Sequence, residues 1–389
     1  MQSFLRIALL LAVSLVFTFS GPLNASAADA EVKLNPNGFT SSKVCAECHS
    51  QIYSNWKDSM HARATSDPIF RASYYEAHYK SGGKARDLCL RCHAPTTKMT
   101  QEYNLDGEIT SEGLTCDFCH SLKAIDMKKE FPFILDVGTV KYGPNKKGSD
   151  AKIHTIMKSK IHTSARLCAS CHEYRPNGVA VMSTYSEWQN GPYALEGIPC
   201  QRCHMPEVEG EIAIGVTADR GKKVYSHKLA GGHSVVQLKK ALTLSIANVQ
   251  RAGGMMTVTA NVTNSGSGHR VPTGIPTRKL ILHCKVTLTN GKTFMEKKVY
   301  EKVLFDKDGN ELTNDADIMM GLGDSIVKDN RIYPRETRSE RFTFNIPDRE
   351  EASISLWVDY LYQPKVIQDM EMRVEMGRAE TISHPGGNR

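Results

Sequence analysis

Five Cys-x-x-Cys-His segments occupy the first half of the chain, at Cys45–His49, Cys89–His93, Cys116–His120, Cys168–His172 and Cys200–His204. In this signature two cysteine sulfurs bond covalently to porphyrin vinyl groups and the adjacent histidine ligates the iron, so the spacing predicts five c-type haems. Ten of the eleven cysteines would become thioethers: Cys45, Cys48, Cys89, Cys92, Cys116, Cys119, Cys168, Cys171, Cys200 and Cys203. His49, His93, His120, His172 and His204 would be the proximal iron ligands. A zinc knuckle does not need a histidine after every second cysteine, and a redox dithiol would carry one such motif rather than five.

A second axial ligand for each iron has to come from the nine remaining histidines among fourteen. His61, His78, His154, His227 and His269 are the candidate distal ligands, with His162 and His233 as alternatives. His283 and His384 read as surface residues. The supply suffices for imidazole on both faces of every iron, which favours low-spin, low-potential haems that pass electrons rather than bind substrate. His269 stands in the glycine-rich loop Asn264-Ser-Gly-Ser-Gly-His-Arg-Val-Pro-Thr-Gly274, where Gly268 and Pro272 would fix an unusual backbone. We expect that loop to insert its imidazole toward a haem edge and so couple the two halves of the chain.

The elements that must position these residues divide at about residue 238. Residues 28–238 hold all five motifs and only short helical stretches, such as Ser66 to Lys80. Porphyrin faces supply the apolar surface that so loop-rich a segment lacks. From 239 to 380 the pattern turns to period two, in segments beginning at Leu242, Met256, Arg278, Thr293, Arg338, Ile354 and Met372, with turn signals at Gly253-Gly254, Asn290-Gly291 and Asp308-Gly309. The expected fold is therefore α+β: a mostly helical multihaem domain followed by an antiparallel β-sandwich of immunoglobulin-like type, with a small barrel as the alternative. Cys284 alternates onto the apolar face of one strand and reads as a buried, inert thiol. Tyr53-Ser-Asn-Trp56 and Tyr185-Ser-Glu-Trp188 echo each other, but four residues do not establish a duplication. Residues 381–389 read as a disordered tail.

Residues 1–27 read as a signal peptide, with Arg6, an apolar run from Ile7 to Phe19 and an Ala25-Ser-Ala27 cleavage site. An uncleaved anchor is the alternative. No transmembrane segment is expected in the mature chain, which would be periplasmic or extracellular in a Gram-negative bacterium. The formal charge of +7 does not point to nucleic acid, because haem propionates offset it and no basic stripe is interleaved with aromatics.

At these residues the chain resembles the multihaem cytochrome c family typified by the tetrahaem cytochrome of ammonia oxidisers. The likeness rests on Trp56-Lys-Asp-Ser-Met-His-Ala-Arg-Ala64, Gly113 to His120, Ser164 to Glu173, Thr184 to Trp188 and Gly197 to Pro206. The Gly-His-x-x-Pro-Thr-Gly loop is similar to one in family members with an added β-domain. The resemblance implies electron transfer, haems packed in close pairs, and His61, His154 and His227 as distal ligands. A fifth motif and the β-region depart from the family pattern and leave pathway and partner open.

Three functions compete. The first is an electron carrier in anaerobic respiration, linking a membrane quinol-linked donor to a terminal reductase or extracellular acceptor. The second is an enzyme reducing a small oxyanion at one five-coordinate haem; the Cys-x-x-Cys-Lys motif of pentahaem nitrite reductases does not occur. The third is a homo-oligomer or extracellular cytochrome filament. The residues favour the carrier over an enzyme.

Overall fold

The first half of the chain is built from single helical turns rather than long helices, because each motif needs only one. In the computed structural model, which describes residues 32–144, 153–216 and 222–385, the helices of this part are α1 (Ser42–Ala46), α2 (Ser50–Lys57), α3 (Pro68–Lys80), α4 (Ala85–His93), α5 (Thr97–Thr100), α6 (Cys116–His120), α7 (Arg166–His172), α8 (Thr184–Gln189), α9 (Pro192–Leu195) and α10 (Cys200–His204). Short strands pair between them: β1 (Leu122–Ile125) with β2 (Phe133–Leu135), β3 (Val140–Gly143) with β4 (Thr155–Lys158), and β5 (Glu207–Glu209) with β6 (Lys223–Tyr225). The expected signal segment and residues 386–389 lie outside the described residues.

Four motifs lie within α4, α6, α7 and α10, and in the first the His49 amide donates to the Cys45 carbonyl at 2.8 Å, closing the same turn. One α-turn sets positions i, i+3 and i+4 on a common face, so both thiols and the imidazole of each motif point the same way. The 13-residue α3 starts where Asp67 accepts from the Phe70 amide at 2.8 Å with Pro68 in the first turn, and ends before Gly82 and Gly83, both at positive φ. Apolar clusters here are small: Phe39, Phe118, Leu122 and Phe133 form one, and Tyr74, Leu90, Ala94 and Leu105 another.

The second half opens with α11 (Val235–Lys239), so the boundary expected at 238 falls inside a helix, and Leu238 belongs to the β core. Next come β7 (Thr243–Ala252), β8 (Met255–Thr263), β9 (Arg278–Leu288), β10 (Thr293–Tyr300), β11 (Lys302–Phe305), α12 (Asp315–Met319), β12 (Ser325–Asp329), β13 (Thr337–Asn345), β14 (Ala352–Tyr362) and β15 (Met372–Ser383). Two antiparallel sheets result, ordered β13-β8-β7 and β10-β9-β14-β15. Alternate residues Leu280, Leu282, Cys284 and Val286 of β9 and Ile354, Leu356 and Val358 of β14 share one buried core with Met256, Val258, Ala260, Phe342 and Phe344. The chain is thus α+β.

The expected strand from Thr293 to Phe305 divides at Glu301, whose amide donates to Asn330 and whose carboxylate meets Lys279 and Lys328. After this break β11 leaves the large sheet and pairs with β12. Strand β15 runs to Ser383, three residues into the segment expected as a tail. His384 follows it, paired with Glu351 at 2.7 Å on the surface.

No linker separates the halves. Ala316 packs with Ala77 and Ala85, and Leu304 and Ile318 pack with Val181. The Lys302 ammonium donates to the carbonyls of Ala180 at 2.8 Å and Val181 at 3.2 Å, and to Ser183 Oγ at 3.0 Å.

Candidate haem-binding site

Four of the five motif histidines are oriented by the backbone. Nδ1 of His49, His93, His120 and His204 donates to the carbonyls of Ile212 (2.5 Å), Ala64 (3.1 Å), Tyr142 (2.6 Å) and Ala230 (2.7 Å). Such a bond fixes the tautomer and leaves Nε2 free to ligate. His227 and His269 are held in the same way, with Nδ1 donating to Tyr225 at 2.8 Å and Arg270 at 2.9 Å.

Across from four motif histidines stand four others. Ring centroids are 6.1 Å apart for His49 and His154, 6.2 Å for His172 and His61, and 6.3 Å both for His120 with His227 and for His204 with His269. The structure leaves His78 apart: its nearest ring partner is Tyr74 at 5.7 Å. His93 meets Phe70, stacked at 3.9 Å, and no described histidine ring stands opposite it. His162 also stacks beside His120 at 5.6 Å, but its Nε2 is bonded to the Cys119 carbonyl at 2.9 Å. His233 turns its ring toward Tyr362. His283 faces outward as its alternation implies, yet it is covered by Trp357, stacked at 4.6 Å, and flanked by Asp359.

Burial favours the neutral form, the one that ligates a metal, at His61, His154 and His227. It holds His227 down at about 4, aided by His120, and His61 at about 4, aided by His93 and His204. The His154 ring is also lowered by burial, and its Nδ1 has no partner.

Particular contacts place each opposing histidine. The His61 loop is clamped at Leu114, whose amide donates to the His61 carbonyl at 3.0 Å while the buried Trp56 indole donates to the Leu114 carbonyl at 2.8 Å. Gly113 beside it is at φ 69°, and a Cβ there would stand 2.5 Å from the His61 carbonyl oxygen. His154 precedes β4, whose parallel partner β3 carries the Tyr142 carbonyl that holds His120.

In the His269 loop, Asn264 donates to the His269 carbonyl at 2.8 Å and accepts from the Ser267 amide at 3.1 Å. Gly268 serves by close approach rather than by an unusual backbone angle: a Cβ there would lie 3.3 Å from the Tyr193 ring. Glu187 on α8 accepts from Thr273 at 2.8 Å and pairs at 2.8 Å with Arg331, which also binds Asp329 and the Pro272 carbonyl.

Thiols of different motifs are neighbours. Cys45 is pushed up by its hydrogen bond with Cys116 and by burial, Cys171 by Cys92 and burial, and Cys168 by Cys200 and burial. Cys119 lies close to both Cys168 and Cys171. Contacts therefore join the first motif to the third, the second to the fourth, the third to the fourth and the fourth to the fifth.

The family model for cytochrome c554 and c-prime matches residues 44–121. A penta-heme cytochrome c552 from Thermochromatium tepidum shares the fold, with a TM-score of 0.70 and 23% identity over 88% of this chain and 99% of that one. By family model the likeness to cytochromes c covers the first three motifs, and by fold it covers most of the chain. The ApaA protein from Bordetella pertussis also aligns, with 12% identity over 37% of this chain and 94% of that one, but its TM-score of 0.22 carries no argument. No curated protein matches the chain. The motif residues fit covalently bound haem c: both thiols and the imidazole share one turn in each motif, and in four of the five a locked Nδ1 leaves Nε2 for iron. Bound haem would supply one-electron redox chemistry at this site. Among the described residues no helix is long and apolar enough to cross a membrane.

Sequence reasoning missed the clamps that aim the opposing histidines. One signal was present. The Trp188 indole donates to the Ile198 carbonyl at 2.8 Å, and Ile198 stands two residues before Cys200, as Leu114 stands two before Cys116.

Proposed function

We propose that this cytochrome relays electrons through five c-type haems, attached at the ten motif cysteines, between respiratory partners in the periplasm or outside the cell. The observation that carries the reading is the set of four opposed imidazole pairs. Two metal–nitrogen bonds of about 2 Å each, plus a ring radius at either end, put ring centroids roughly 6 Å apart. His49 with His154, His120 with His227, His172 with His61 and His204 with His269 match that separation. Imidazole on both faces leaves an iron no open position and suits electron transfer.

The run of cross-motif thiol contacts supports a continuous relay, since each haem edge would begin beside the next. The name of the Thermochromatium protein supports five haems. The strand order of the two facing sheets supports an immunoglobulin-like β-domain over 239–380 following a haem domain over 28–238. The signal segment supports export, with a quinol-linked donor at the membrane and a terminal reductase or extracellular acceptor as partners.

A second reading attaches to His93, which meets Phe70 where the other motif histidines face an imidazole. An iron there with an open face would bind a small oxyanion, making the protein a reductase. Low-temperature EPR of the oxidised holoprotein decides between them. Low-spin signals for all haems support the pure relay. Four low-spin haems with one stoichiometric high-spin signal favour an accessible iron on His93. Fewer than four low-spin haems refute the pairing.

A further inference from the structure

Arg278, at the start of β9, carries a positive charge into the seam between the haem region and the β core without a counter-ion. Its Nε is buried and has no partner, and no described carboxylate lies within salt-bridge distance. Nη1 donates to the Thr273 carbonyl at 3.3 Å, and the guanidinium lies over the Tyr362 ring at 5.4 Å. Asp315 feels the Arg278 charge from a distance but is not in contact with it, its oxygens accepting instead from Tyr362 at 2.6 Å and Thr277 at 2.7 Å. Beside the guanidinium stands a second orphan: the Tyr360 hydroxyl, on a side chain only 2% exposed, has no partner. Leaving either group buried and unpaired is costly.

Two glycines keep space open around this pair. A Cβ on Gly232 would stand 3.0 Å from Tyr360 Oη and 3.1 Å from Arg278 Nη1, and one on Gly274 would stand 2.8 Å from Nη1. Two convergent donors, one of them cationic, in a cradle cleared of side chains are what a carboxylate requires. The cradle adjoins a motif histidine: the carbonyl of Ala230, two residues before Gly232, accepts from His204 Nδ1 at 2.7 Å, and Thr273 lies four residues beyond His269, whose ring faces His204.

We propose that Arg278 and Tyr360 clamp a carboxylate, and that this carboxylate is a propionate of a haem bound beside this seam. The proposal rests on the reading of the motif histidines as haem ligands. A buried anion needs a buried partner, and a porphyrin brings its carboxylates to a fixed place, whereas a solvent anion would have to desolvate on its own. The other source of the same chemistry is a small anion entering from the adjoining cavity of about 860 Å³, bounded by Lys228, Gly231, His233 and Ser234 next to Gly232.

The test is a spectroelectrochemical titration of the holoprotein and of Arg278→Gln, Arg278→Lys and Tyr360→Phe, with haem-to-protein ratio and EPR spin count measured on the same samples. Removing the guanidinium charge destabilises the reduced state. One haem of Arg278→Gln should therefore show a reduction constant at least tenfold lower, a fall of about 59 mV for one electron. Arg278→Lys should keep most of the potential, and Tyr360→Phe should shift the same haem in the same direction by less. The wild type should ignore added acetate at constant ionic strength.

Unchanged potentials in Arg278→Gln with full haem content overturn the clamp. A saturable acetate effect in the wild type overturns the propionate in favour of a solvent anion. Should Arg278→Gln not assemble, Tyr360→Phe, which removes a single hydroxyl, carries the test, and unmoved potentials there overturn the clamp. Loss of the low-spin count in the wild type refutes the ligand reading instead.

Discussion

Replacing Arg331 with methionine tests whether the β-region holds the His269 loop by charge. The Arg331 side chain is 4% exposed and that of Glu187 is 5% exposed. Arg331 binds Glu187 at 2.8 Å and Asp329 at 2.8 and 2.9 Å, and donates to the carbonyl of Pro272, three residues beyond His269, at 3.1 Å. Removing one partner of a buried pair costs about 3–5 kcal/mol. Arg270 and Lys302 remain near the stranded carboxylates, so the expected cost is at the lower end, about 3 kcal/mol.

Glu187→Gln keeps the shape and loses one charge-assisted bond, for about 2 kcal/mol. Urea unfolding followed in the Soret band measures both, and EPR follows the His204–His269 low-spin component, which Arg331→Met should weaken. There is a pH signature as well. Burial pushes the Glu187 carboxyl up, but Arg331, Thr273, Lys302 and Ser183 together outweigh it and hold the group below its ordinary range. The unfolded chain therefore binds the proton more readily, so this contribution is complete above the usual carboxyl pKa of about 4.3 and is lost as the pH falls through the lowered value. Arg331→Met should lose that contribution at higher pH. Wild-type unfolding and an intact low-spin component in Arg331→Met would show that the pair does not hold the loop.

Two further outcomes are expected. Trp56→Phe leaves the Leu114 carbonyl without its donor, for about 1–3 kcal/mol, and frees the His61 loop; EPR should show the His172–His61 component weakened before any other, and a uniform loss would contradict the clamp. Thiol titration of the native holoprotein should find nothing, because on the proposed reading the ten motif cysteines are thioethers, and Cys284 is buried with its thiol pushed up to about 12 by burial. A denatured sample should release a single thiol, and any larger number means an unattached haem.

The attachment chemistry is legible because one helical turn carries the whole motif, so contiguous residues such as Cys116, Cys119 and His120 announce it. Likewise Cys284 and its neighbours alternate with period two over β9, and burial follows the alternation. Distal pairing is spatial and leaves no such trace. His154 and His162 differ in sequence only by position; what separates them is the parallel pairing of β3 with β4 and the Cys119 carbonyl bonded to His162 Nε2. His78 lies four residues beyond Tyr74 and eight beyond Phe70 on one face of α3, so periodicity cannot tell a ligand from a packing residue there. The branch at Glu301 was hidden for a similar reason: β10 and β11 are one run of strand formers, and the break depends on Asn330, about thirty residues away.

The two Tyr-Ser-x-Trp segments turn out to build the same unit twice. Each has its tyrosine and tryptophan rings 5.6 Å apart. Each tryptophan donates at 2.8 Å to the residue two before a motif cysteine. Gly113 and Gly197, both at φ 69°, precede those acceptors. The amides of Leu114 and Ile198 then donate back to the residue five beyond the tryptophan, His61 in the first unit and Tyr193 in the second, at 3.0 and 2.9 Å. Where the first unit presents its own imidazole, the second presents Tyr193, which cannot ligate in the same way and packs against Gly268 instead. The imidazole that faces His204 comes from the next residue of that foreign loop, His269. On the proposed bis-histidine reading a haem region so constructed is short of one ligand, which gives the buried Glu187–Arg331 pair beneath the loop its role: a ligand borrowed from the β-region is only as well placed as the seam that fixes it.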